Sequence, residues 1–102
     1  MTAAKTILLV DDDNDLREAL AEQFELHGGF ETLQADTAGG GISMAGKERI
    51  DLILLDVDLP DKDGREACKQ MRAHGINIPI IMLTGQDGDA DTILGLDAGA
   101  ND

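Results

Sequence analysis

Three short apolar runs each end in oxygen-bearing side chains: Ile7-Leu8-Leu9-Val10 leads into Asp11-Asp12, Leu52-Ile53-Leu54-Leu55 into Asp56, and Ile80-Ile81-Met82-Leu83 into Thr84. If the runs are neighbouring strands, one edge of a sheet gathers these groups. Carboxylates within a few ångströms of one another raise each other's pKa and cost stability unless a cation neutralises them. A hard divalent ion does so, and magnesium in particular takes one or two carboxylates together with a phosphate oxygen. Asp11, Asp12 and Asp56 therefore read as a candidate magnesium site, with the Thr84 hydroxyl as a donor toward an anionic oxygen. Asp after a strand is also an ordinary turn residue or helix cap, and Thr before Gly an ordinary turn residue. The coincidence at several strand ends favours the site.

The elements that must position these groups alternate along the chain. Continuous apolar runs suit strands buried on both faces of a parallel sheet. Between them, Asp13 to His27 carries Leu16, Leu20 and Phe24 at a spacing of four with Ala19 beside them, and Gly28-Gly29 follows as a stop, which predicts an amphipathic helix. Phe30 to Ala35 predicts a short second strand. Thr37 to Lys47 predicts a weak helix, because interior glycines such as Gly39, Gly40 and Gly41 each cost about 1 kcal/mol relative to Ala. Gly64 to His74 places Ala67, Cys68 and Met71 on one stripe and closes at Gly75, and Asp89 to Ala98 closes at Gly99, so both are expected as helices. The order is β-α-β-α-β-α-β-α, an α/β class built as a doubly wound parallel sheet whose ligands sit beyond the carboxyl ends of the strands.

Composition narrows the function classes. A chain of 102 residues makes one domain. Twenty-one Asp and Glu against eight Lys and Arg leave a net charge of −13, which repels phosphate backbones and anionic lipid, so direct binding of nucleic acid is not expected. The single cysteine, Cys68, cannot form an internal disulfide or a cysteine-rich zinc site, and with Met71 it is expected in the core. His27 and His74 fall near helix ends, where positive charge is favourable. The early apolar run is too short for a signal segment or a membrane span, and the expected location is the cytoplasm.

Taken in this order, the residues resemble the receiver domain of a bacterial two-component response regulator. The likeness runs from Ile7 to Asp12, through Asp56, Leu59-Pro60 and Asp63-Gly64, to Pro79 to Thr84 and the Gly-Leu-Asp-Ala-Gly-Ala-Asn-Asp stretch at 95–102. It implies a flavodoxin-like sheet with strand order 2-1-3-4. It also implies an aspartate that accepts a phosphoryl group from the phosphohistidine of a sensor histidine kinase or phosphotransfer protein, with Mg2+ required. By position Asp56 is that acceptor. Asp12 and Asp56, with the backbone carbonyl of Asp58, match the direct metal ligands, Asp11 the acid that reaches the metal through water, and Thr84 the switch hydroxyl. Asp58 and Gln86, two residues beyond Asp56 and Thr84, match positions that border the path of the hydrolytic water and are expected to tune the lifetime of the phosphorylated state.

Two rival readings share the same acids. Leu54-Leu55-Asp56-Val57-Asp58 is similar to the strand-end D-x-D of haloacid-dehalogenase-type phosphatases, which would use Asp56 and Asp58, but here the acid pair Asp11-Asp12 precedes it. Asp11, Asp13, Asp15 and Glu22 fall at EF-hand loop positions 1, 3, 5 and 12, yet Leu16 stands where that loop needs glycine. Asp87, Asp89 and Asp91 repeat the pattern with Thr92 in the glycine place. The family pattern continues into a fifth strand with an aromatic residue, a lysine-proline pair and a fifth helix, and the last basic residue here is Arg72. The reading is thus one receiver unit over 1–102, incomplete at its carboxyl end, with strand four an exposed edge open to self-association.

Overall fold

A computed structural model describes residues 4–83 and the backbone of 93–95. The elements are β1 (Thr6–Val10), α1 (Asn14–Gly28), β2 (Glu31–Ala35), α2 (Ala38–Lys47), β3 (Leu52–Asp56), α3 (Gly64–Ala73), β4 (Ile80–Leu83) and β5 (Ile93–Gly95). They form one sheet in the order β2-β1-β3-β4-β5, and the first four strands are parallel in the expected 2-1-3-4 arrangement.

Alternation along each inner strand explains why the runs are apolar throughout. Leu8, Val10, Ile53, Leu55, Ile80 and Met82 point to one face and pack with Ala67, Cys68 and Met71 of α3 and Ala38 of α2. Ile7, Leu9 and Leu54 point to the other and pack with Leu20, Ala21 and Phe24 of α1. A side chain on either face is buried, so no polar residue can be placed without cost.

The helices begin where side-chain oxygens can satisfy their first N–H groups. Asp13 caps α1 by accepting from the Leu16 backbone N–H, Thr37 caps α2 through Gly40, and Asp63 caps α3 through Arg65. Helix α1 ends at Gly29, whose φ of 67° is left-handed and suits glycine. The glycine-rich α2 forms in spite of its composition for two reasons. Asp61 lends both carboxylate oxygens to the backbone N–H groups of Ala38 and Gly39, at 2.8 and 2.9 Å. Gly41 lies so close to β1 that a Cβ there would meet Val10 Cγ2 at 2.8 Å, so its missing side chain lets the helix approach the sheet.

Three expectations are corrected. The buried stripe of α1 is Leu20, Ala21 and Phe24, while Leu16 is 41% exposed and Ala19 is also exposed. Arg17 stands on the inward side one turn earlier, where its fork meets polar partners. The helix expected over Asp89 to Ala98 gives way at Ile93–Gly95 to strand β5, antiparallel to β4. Residues 84–92 fall short of the dozen or so that a parallel crossover needs, and open strand-edge groups reward antiparallel pairing over local helix preference. Strand β4 is accordingly not the bare edge expected for self-association, since β5 pairs with it at Met82 and Leu83.

Candidate functional site

The pairing register brings the acids together. Val10 of β1 is the partner of Leu55 in β3, so the next residues on the two strands, Asp11 and Asp56, emerge side by side at the carboxyl edge. Asp12 joins them, and a carboxylate oxygen from each of Asp11, Asp12 and Asp56 lies within 4.8 Å of the others. Asp56 also ends the register with β4, where it partners Leu83, the residue before Thr84. Thr84 and Gln86, and the acids at 87, 89 and 91, lie outside the described residues.

Two of the three acids are buried, Asp11 to 6% exposure and Asp56 to 7%, whereas Asp12 is exposed. Loss of water is the main reason their carboxyls resist ionisation. Asp56 is pushed up to about 7, first by burial, then by the charge of Asp11, with Asp12 and Asp58 adding to it and a hydrogen bond from the Asp58 backbone N–H opposing it. Asp11 is raised mainly by burial, and the Asp13 backbone N–H, which donates to its Oδ1 at 2.9 Å, partly offsets this. The charges of Asp12 and Asp13 push Asp11 up further, and Arg17 pulls it down.

Such a cluster is under charge stress in isolation and suits a hard cation. All its donors are carboxylate oxygens, and the two raised pKa values mark sites where added positive charge would be most stabilising. Asp11, Asp12 and Asp56 are the residues that would hold a divalent ion.

The loop after β3 is closely packed against the backbone of Asp56. Gly64, at the start of α3, passes so close beneath it that a Cβ there would meet the Asp56 carbonyl oxygen at 2.1 Å. The Gly64 backbone N–H donates to the Val57 carbonyl at 2.7 Å, and Asp58 and Asp63 form a β-bridge that closes the loop. The Asp58 side chain is exposed and is not among the three clustered acids.

Both rival readings lose their geometry here. The acids that join Asp56 come from the end of β1 rather than from Asp58, contrary to the D-x-D phosphatase arrangement. Asp13 is occupied in capping α1, Asp15 lies in that helix's first turn, and the EF-hand spacing therefore describes a strand end and a helix start. Sequence reasoning missed Arg17, which holds the Asp11 carbonyl and whose only signal was its departure from the apolar stripe of α1, and Asp61, which secures the start of α2 through partners 23 and 22 residues earlier.

Comparison with known proteins agrees with this geometry. The profile of the response regulator receiver domain matches residues 7–102. The alkaline phosphatase synthesis transcriptional regulatory protein PhoP of Bacillus subtilis is 41% identical over 98 residues, covering 96% of this chain and 40% of that protein. The receiver domain of the Francisella response regulator 1452 superposes with a TM-score of 0.81 at 28% identity, covering 96% of this chain and 80% of that one. TrrA of Thermotoga maritima, a response regulator solved in complex with Mg2+ and BeF, gives a TM-score of 0.75 at 30% identity, covering 81% of this chain and 71% of that one. The chain spans about two fifths of the length of the curated relatives it matches.

Proposed function

From the premise that this chain belongs to the response regulator receiver domain family, we propose that it accepts a phosphoryl group on Asp56 and so serves as a phosphorylated switch in two-component signalling. The observation that carries the reading is the convergence of Asp11 and Asp12 on a buried Asp56 at the end of β3. The donor is a phosphohistidine of a sensor histidine kinase or phosphotransfer protein, and the setting is the cytoplasm. Among the described residues, no helix is long and apolar enough to cross a membrane.

The carboxylate of Asp56 attacks phosphorus in line with the departing imidazole nitrogen. The P–N bond breaks, an acyl phosphate forms on Asp56, and the imidazole leaves. Carboxylate is a weak nucleophile, so orientation and charge balance must supply most of the acceleration. Register and burial supply the orientation, because Asp56 is fixed by β1 on one side and β4 on the other. Bound Mg2+ supplies the charge neutralisation that lets carboxylates and phosphoryl oxygens share the site. Asp12 and Asp56, with the Asp58 carbonyl, would hold it directly, and Asp11 through water. The Thr84 hydroxyl would turn toward the phosphoryl oxygens, and Asp58 and Gln86 would set how quickly water reaches the phosphorus. The domain is a phosphoacceptor that assists its own modification, not a turnover enzyme.

Incubation with acetyl phosphate and Mg2+, followed by intact mass, tests the reading. The chain should gain one phosphoryl group, Asp56→Ala none, and chelation of Mg2+ should prevent the gain. Modification that persists in Asp56→Ala would refute the assignment. Asp58→Asn should alter the decay of the phosphorylated form, and an unchanged decay removes Asp58 from that role.

A further inference from the structure

Asp11 is tied at its backbone N–H, at its backbone carbonyl and at one carboxylate oxygen. Its N–H donates to the Ala35 carbonyl at 3.1 Å, its Oδ1 accepts from the Asp13 N–H at 2.9 Å, and its carbonyl accepts from Arg17 Nη1 at 2.7 Å. The same guanidinium donates through Nε to Gln34 Oε1 at 2.9 Å. A half-buried fork on α1 thus links the loop that follows β1 to the edge strand β2. These bonds leave Oδ2 of Asp11 outside them.

We propose that Arg17, oriented by Gln34, is a positioning residue for the cation site: by holding the Asp11 carbonyl it aims the Asp11 carboxylate and so sets how tightly the acidic cluster binds a divalent ion. The proposal rests on the reading of Asp11, Asp12 and Asp56 as a cation site. Arg17 is hydrogen-bonded to the cluster through the Asp11 main-chain carbonyl, and its charge is felt at the Asp11 carboxyl. Its two donors point in different directions from one planar group, and the Asp11 carbonyl and Gln34 amide use both; a lysine ammonium lacks that fork. Gln34 is neutral, so its part in the bridge is orientation and not charge.

Charge and positioning predict opposite signs, which makes the proposal decidable. A positive group beside an acidic cluster repels a divalent ion, so if Arg17 acted by charge alone its removal would tighten binding. If it acts by aiming Asp11, its removal loosens binding, as loss of an outer partner of a metal ligand does.

Mg2+ binding to the full chain, measured by calorimetry at constant ionic strength and above pH 7, separates the cases. Arg17→Met should weaken binding about tenfold, Gln34→Leu should weaken it in the same direction by a smaller factor, and Arg17→Lys should fall between Arg17→Met and the unsubstituted chain. The double variant should bind no more weakly than Arg17→Met, because both changes break one bridge. Thermal unfolding of the same samples shows whether each is folded, and if Arg17→Met is not, Gln34→Leu and Arg17→Lys decide. Unchanged or tighter Mg2+ binding in the folded variants, with or without a lower Tm, overturns the proposal and leaves the bridge a purely structural contact. Failure of the unsubstituted chain to bind Mg2+ overturns the cation-site reading itself, a separate outcome.

Discussion

At the amino-terminal ends of the strands, Asp51 accepts from the Thr6 backbone N–H at 2.8 Å and returns its own N–H to the Thr6 carbonyl at 2.8 Å. Nearby, Arg72 Nη1 donates to the carbonyls of Ile76 and Ile78 at 3.0 and 2.8 Å, just before β4. At the carboxyl-terminal ends the same sheet crowds Asp11, Asp12 and Asp56 against one another, two of them buried. Polar groups at the first end are matched with partners, whereas at the second burial and like charge outweigh the donors that Asp11 and Asp56 have. The difference separates what holds the fold from what the fold is for: stability is given up where a bound cation would restore it. Replacing an acid should therefore move stability in opposite directions at the two ends.

The steepest test of this contrast lies at a place at the acidic end where packing, not charge, is decisive. Gly64→Ala puts a methyl 2.1 Å from the Asp56 carbonyl oxygen, a backbone atom that cannot swing aside. The expected loss is about 3 kcal/mol or more in denaturant unfolding, with slower phosphoryl acceptance because the Asp56 loop must shift. A stability within error of the unsubstituted chain would mean the loop yields easily and is no rigid support. At the matched end, Arg72→Met strips a charged donor from two carbonyls and should cost about 2–3 kcal/mol. Phosphoryl acceptance by the folded protein should be unchanged, and a loss of acceptance would link the two ends.

Much of this was legible in the chain because a strand buried on both faces leaves a continuous apolar run, and the first polar residue after it marks the sheet edge. Ile7 to Val10, Leu52 to Leu55 and Ile80 to Leu83 were placed in this way, and with them Asp11, Asp12 and Asp56. What local pattern cannot reveal is a partner distant in sequence. The Asp61 carboxylate that caps α2 and the Gly41 contact with Val10 explain a helix whose glycines argued against it. Ile93–Gly95 read as helix because its neighbours carry capping residues, and only pairing with β4 makes it extended. Arg17 was passed over because a charged residue inside an amphipathic helix reads as solvent-facing until Gln34 and the Asp11 carbonyl are seen beside it.

Replacing one acid of the crowded set should raise stability. In EDTA above pH 7, Asp56→Asn is expected to stabilise the chain by about 1–2 kcal/mol after allowance for solvent screening of the site. The carboxyl titrates at about 7 when folded against 3.8 in its ordinary state, so the folded chain holds the proton more tightly across that window. The contribution of Asp56 to the stability of the unsubstituted chain therefore falls as pH rises from about 4 to about 7 and levels off above it. The advantage of Asp56→Asn should be full above pH 7, shrink steadily below, and lose its pH-dependent part near pH 4. Saturating Mg2+ should stabilise the unsubstituted chain more than the variant and narrow the gap. An advantage that does not vary with pH would show that the charge of Asp56 is not what strains this end.

The smallest expected effect comes from Asp51, an acid of the same type at the opposite end. It lies outside the crowded set, and its Oδ2 serves one backbone N–H at the start of β1. Asp51→Ala removes that acceptor and should cost about 1 kcal/mol. Asp51→Asn keeps an oxygen for the Thr6 N–H and should cost less. The contrast with Asp56→Asn is one of sign: the same acid-to-amide change is near neutral or mildly destabilising where a donor outweighs the local cost of the charge, and stabilising where burial and neighbouring carboxylates outweigh the one Asp58 backbone N–H. Thermal unfolding of the two amide variants side by side at pH 7.5 reads this directly. Matching shifts in the same direction would mean that net charge over the whole surface, at −13, outweighs the local arrangement at either end.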